Sequence, residues 1–251
     1  MNAKDIMCKI AGCGFALLLM GTNTQALAGP VSVFQNSDWI QFAEDDVLGD
    51  NGYVDPGWGG QKFDAEYLFY KKEGSTLFIG LQTGFNVKDG FVTVVSSNGS
   101  STYYYAGDIA LSFDGDSSNY EYAFDFGLTT HPYYNSSTDL TDDQGLYAVS
   151  TWNNDIYYDV SSPFAMDEGT LIDAGQTRAD LEGDSYYRIV SFDLASLGLT
   201  SFDGFSAHWT MSCGNDVIEG TAPVPEPATM LLFGTGLAGL ASVSRRKMKR
   251  S

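Results

Sequence analysis

Tyr120-Glu121-Tyr122-Ala123-Phe124-Asp125-Phe126 places an aromatic ring at every second position, with a small or acidic residue between. Successive side chains of a strand point to opposite faces, so a period of two predicts a strand with one face buried. The alternation recurs at Phe63, Ala65, Tyr67 and Phe69, at Leu77, Ile79 and Leu81, and at Ile109, Leu111 and Phe113. It returns at Tyr186, Arg188, Val190 and Phe192, and again at Phe205, Ala207, Trp209 and Met211. Turn-forming clusters separate these runs, among them Lys72-Glu73-Gly74-Ser75, Asp114-Gly115-Asp116-Ser117 and Glu182-Gly183-Asp184. The only helical expectation between these strands is a turn or two at Leu194 to Leu197, capped by Asp193. Many short strands with polar turns predict a mainly β chain whose body, residues 29–222, folds as a single jelly-roll-like β-sandwich.

Outside that body the pattern changes at both ends. Residues 1–28 have the three parts of a signal peptide: Lys4 and Lys9, an apolar run around Ala11 to Met20, and Ala26-Leu27-Ala28 as the cleavage site, leaving Gly29 first in the mature chain. Cys8 and Cys13 leave with it, so Cys213 is the one thiol of the mature chain and no intramolecular disulfide is expected. Residues 223–251 open with Val224-Pro225-Glu226-Pro227, continue through an apolar segment expected as a transmembrane helix over 228–244, and close on a basic stop at 245–250 that includes Arg245, Arg246 and Lys247. Gly234-Thr235-Gly236-Leu237-Ala238-Gly239 spells a dinucleotide-binding pattern, but neither the preceding strand nor the later acidic residue that the motif needs is there.

The Pro225-Glu226-Pro227 motif, the apolar segment and the Arg245-Arg246-Lys247 stop resemble the tail of PEP-CTERM proteins. The resemblance implies export through the secretion translocon and an inner-membrane-anchored precursor in a Gram-negative bacterium. An exosortase, a membrane cysteine transpeptidase, would then remove the tail and leave the body at the cell surface or outside the cell, in a setting of exopolysaccharide and biofilm matrix. Stretches of the body, such as Leu77 to Phe85 and Trp209 to Asp216, are similar to bodies of other exosortase-sorted surface proteins, which implies location and fold but brings no activity.

The body carries 30 acidic and 6 basic residues between Gly29 and Pro223, a net charge of −24. That charge disfavours nucleic acid and anionic membranes as partners. Of its acids 23 are aspartates, which suit turns and calcium loops rather than helices. The densest run, Glu44 to Asp55, offers Asp45, Asp46, Asp50 and Asp55 as hard oxygen ligands for Ca²⁺, and Asn215 and Asp216 would join them if first and last strands meet. A solvated acidic loop is the simpler reading of the run. Trp58, Trp152, Tyr104 and Tyr134 are candidate platforms for sugar rings, because adjacent tyrosines such as Tyr103-Tyr104-Tyr105 cannot all face a core.

No catalytic residues are assigned. Two histidines, His131 and His208, supply a nucleophilic triad poorly, there is no Gly-x-Ser-x-Gly elbow, and the acids show no hydrolase strand motif. His208 and Cys213 are expected as a packed histidine and a buried thiol. The sequence thus predicts an exported structural or adhesive surface protein without catalysis. A calcium-dependent carbohydrate-binding module is the alternative and a jelly-roll glycoside hydrolase the second.

Overall fold

The computed structural model describes residues 29–45, 60–116, 119–199 and 203–222. In chain order the strands are β1 (Ile40–Glu44), β2 (Ala65–Glu73), β3 (Thr76–Thr83), β4 (Phe91–Val95), β5 (Ser101–Tyr105), β6 (Ile109–Ser112) and β7 (Tyr122–Asp125). They are followed by β8 (Gly145–Asn153), β9 (Ala165–Asp173), β10 (Gln176–Glu182), β11 (Ser185–Asp193), β12 (Phe205–Thr210) and β13 (Val217–Ala222). Short 3-10 turns are the helical elements of the described residues, and the one at Leu194–Leu197 has its Asp193 cap: the carboxylate accepts from the Ala195 amide at 2.9 Å. No helix among the described residues is long and apolar enough to cross a membrane. The helix expected over 228–244 and the signal peptide 1–28 lie outside the described residues.

All strand pairing is antiparallel. One sheet has the order β1-β2-β3-β11-β10, a second β13-β12-β6-β7-β8-β9, and β4 and β5 form a separate hairpin. The fold is therefore mainly β, but the strand order departs from the expected jelly roll. Meanders β1-β2-β3 and β6-β7-β8-β9 are laid down first, and the later β11 and β12 then pair with β3 and β6, one in each sheet. A period-two pattern assigns faces within a strand but says nothing of which strands become neighbours, so this order was not readable from it.

Leu77, Ile79, Leu81, Val190 and Phe192 of the first sheet share one core with Ile109, Leu111, Phe124, Phe205 and Trp209 of the second. Trp209 is fully buried, and its indole N–H donates to the Gly107 carbonyl at 3.0 Å, which satisfies its polar edge. Arg188 follows the alternation of β11 into the interior. Its guanidinium lies over the Phe126 ring at 4.8 Å and donates to the Val87 carbonyl and the Thr177 hydroxyl, so the buried charge is not left unpartnered.

In β2 the expected face is wrong beyond Ala65. Ala65 lies in the main core, yet Leu68 and Tyr70 follow it there, while Tyr67 and Phe69 turn to the outer side. The β2–β3 pairing slips between Ala65 and Tyr67, and such a bulge moves every later side chain to the opposite face. Tyr67 and Phe69 escape solvent because the segment Val31 to Trp39 folds over them, with Phe34 stacked on Phe69 at 4.3 Å.

Candidate metal and ligand sites

Three carboxylates meet where the sheets adjoin at β1 and β13. Asp45 follows β1, Asp64 stands between the 3-10 turn Gly60–Phe63 and β2, and Asp216 immediately precedes β13. One oxygen from each lies within 4.8 Å of the others. Oxygens bound to one ion at about 2.4 Å, a length typical of Ca²⁺, can be no farther apart than that.

Local structure fixes two of the three closely. Asp216 is fully buried; its Oδ2 accepts from the Ala65 amide at 2.7 Å and its Oδ1 from the Val217 amide at 2.9 Å. Its own carbonyl accepts from the Thr210 hydroxyl at 2.6 Å. Burial, and after it the Asp45 charge, push its carboxyl well above the usual range, against the two amides that favour the anion. Asp64 is held through its carbonyl, which accepts from the Gly84 amide at 2.8 Å and from the Thr83 hydroxyl. Gly84 is needed for that approach: a Cβ there would stand 1.6 Å from the Gln61 carbonyl oxygen.

Of the acids singled out for a cation, Asp45 and Asp216 come together. Asp46, Asp50 and Asp55 lie outside the described residues, and Asn215 is buried on the wall of a neighbouring groove. Asp64 escaped the sequence reading because it sits in the approach to a strand and not in the acid-rich run. A carboxylate one residue before the first core position of β2 was the signal for it.

The groove holds about 810 Å³. Thr93 to Val95 and Tyr104 on the β4–β5 hairpin form one side, Tyr133, Tyr157 and Tyr158 the other, and Lys62, Phe63, Cys213 and Asn215 complete it. The hairpin is tied down by the Ser212 amide, which donates to the Tyr105 carbonyl at 2.8 Å. Tyr104 and Tyr133 stack at 6.2 Å, and Tyr133 meets Tyr134 and Tyr157 at 4.9 and 5.2 Å. Tyr134 and Tyr157 are exposed, at 66 % and 49 %. Of the residues proposed for sugar contact, Tyr104 lines this groove and Tyr134 borders it. Trp152 does not join them: it packs with Ala123, Tyr147 and Met166, its N–H donating to the Tyr120 carbonyl at 2.8 Å. Trp58 lies outside the described residues.

Both histidines and the thiol are held within the fold. His208 is buried, its Nε2 at 3.1 and 3.0 Å from the Ser161 and Pro163 carbonyls. His131 sets its Nδ1 against the Thr138 carbonyl at 2.6 Å. Burial pushes the Cys213 thiol up to about 12, far from a reactive thiolate.

The strands, the carboxylate cluster and the tyrosine groove define an acidic, mainly β body. Residues 223–247 match the family described as the PEP-CTERM protein-sorting motif, so the chain carries the sorting signal of an exported, membrane-processed protein handled by an exosortase. Neither the comparison with curated proteins nor that with solved structures gives a match.

Proposed function

We propose that the chain is a surface or extracellular-matrix protein whose body, residues 29–222, has a structural or adhesive role without catalysis. The sorting motif at 223–247 is the observation that carries this reading. Cleavage after Ala28 suits the body, because the residues that follow are already bound to it. The Gly29 carbonyl accepts from Gln82 Nε2 at 3.1 Å and the Val31 amide donates to Gln82 Oε1 at 2.8 Å. A non-catalytic role is supported by the engagement of both histidines in the fold and by the protonated Cys213.

Ca²⁺ is the proposed cofactor, held by Asp45, Asp64 and Asp216. The support is the convergence of three hard oxygen donors from segments distant in sequence. A cation there would join the end of β1, the start of β2 and the start of β13, and so act as a staple between the two sheets.

The mass of the protein recovered outside the cell tests the sorting reading. A product that begins at Gly29 and ends close to Pro225 is expected. Recovery with Arg250 and Ser251 still attached would refute removal of the tail.

A further inference from the structure

The tyrosines around the groove are fixed before any ligand arrives. Asp155 accepts from the Tyr133 amide through its carbonyl at 2.9 Å and from the Asn135 amide through its carboxylate at 3.1 Å. The Tyr158 amide donates to the Cys213 carbonyl at 3.2 Å. Gly214, at φ 59°, allows that contact, since a Cβ would stand 2.5 Å from the Tyr158 carbonyl oxygen. The loops that carry the rings thus have little freedom left to lose on binding.

The chemistry of the groove is amphipathic and nearly uncharged. Each ring offers an apolar face and a hydroxyl that both donates and accepts. Burial raises Tyr104 and Tyr133 above the ordinary phenol range, so both remain neutral donors. Lys62 is the single charged residue of the lining, beside the polar Thr93 and Asn215. A pyranose ring is matched to such a surface, with C–H faces to lie on aromatic rings and hydroxyls around its rim. The groove is open along its side and not closed like a pocket for a small apolar molecule. A body of net charge −24 repels an anionic chain over its whole surface.

We infer that the groove binds an uncharged polysaccharide chain, with sugar rings on Tyr134 and Tyr157 and hydroxyls bonded to Asn215, Lys62 and the phenols. This goes beyond an adhesive role by naming the ligand class and the residues that take it. It is independent of how the protein is sorted and of calcium.

Affinity electrophoresis of the purified full chain in gels containing hydroxyethylcellulose, galactomannan, arabinoxylan or alginate tests the inference. At least one of the three neutral polymers is expected to retard the protein, and anionic alginate is not. The double substitution Tyr134→Ala with Tyr157→Ala should weaken retardation about tenfold or more. Tyr103→Ala, on the β4–β5 hairpin beside Tyr104 but outside the groove lining, should leave it unchanged. The single Tyr134→Ala variant, at a largely exposed ring, serves if the double variant unfolds. Absence of retardation by every neutral polymer overturns the inference, as does equal retardation by alginate or an unaltered response of the tyrosine variants. Sedimentation showing a dimer that Tyr134→Ala dissociates would assign the groove to a second copy instead and overturn it equally.

Discussion

Asp108 immediately precedes β6 and Asp125 ends β7, each next in sequence to a member of the Ile109–Phe124 pair, and both are buried. The alternation of Tyr120, Tyr122, Phe124 and Phe126 gives Asp125 to the solvent side. That side is instead covered, because Met166 on β9 packs there with Ala123 and Tyr147. The covering strand is distant in sequence, so no local pattern announces it. The Met166 amide donates to Asp108 and the Gly127 amide to Asp125. Burial raises both carboxyls, and Asp142 and Asp143 add negative charge nearby. A carboxyl raised in the folded state binds its proton more tightly there than in the unfolded chain. Its stabilising effect is complete in acid, below the unfolded value near 4, and is lost as pH rises through the raised folded value. Asp125→Asn keeps an oxygen for the Gly127 amide and cannot ionise. It should therefore remove part of the fall in stability from pH 4 towards alkaline pH, giving roughly 1 to 3 kcal/mol over the native chain at pH 8 in urea unfolding. Equal pH profiles for the two proteins would show that Asp125 does not titrate with the fold.

Asp216 gives the corresponding test of the cation. Millimolar Ca²⁺ should raise the melting temperature of the native chain by about 3 to 8 °C, through mass action on the folded state. Asp216→Asn retains an acceptor for the Ala65 amide and lacks the charge. Its NH2 group would face the Val217 amide that Oδ1 now accepts from, so no gain in chelator is expected, and Ca²⁺ should not raise its melting temperature. An identical calcium response in both proteins would place the ion elsewhere. The sequence identified Asp45 and Asp216 as acids of interest, but their meeting depends on β1 and β13 lying side by side, which is a property of strand order.

Among elements, the strands themselves were the most legible. Hairpins β2–β3 and β10–β11 turn on Gly74 and Gly183, both at positive φ, where the sequence has its turn clusters. What a period of two could not supply was the bulge in β2, since one inserted residue leaves composition unchanged while reversing all later faces. The 3-10 turn Gly60–Phe63 is similarly governed from a distance, by the lack of a side chain at Gly84. Gly84→Ala must push that turn, and Asp64 beyond it, away from β3. A loss of about 1 to 3 kcal/mol in urea unfolding is expected, together with a reduced calcium response. A variant as stable as the native chain would mean that the turn shifts without cost.

At the level of the whole molecule, β13 is both the last described strand and the edge strand of its sheet. It pairs with β12 from Thr210–Val217 to Phe205–Ala222, and the sorting motif begins one residue beyond Ala222. A body held to a surface through that end takes mechanical load at Ala222. Tension applied there across the strands would open the β12–β13 ladder as a zipper, pair by pair, starting from the Phe205–Ala222 pair. Asp216, bonded to the Ala65 amide in the other sheet, lies at the far end of that zipper. A cation shared with Asp45 and Asp64 would then be a stop on peeling, resisting force at the one place where the ladder has run out of backbone bonds.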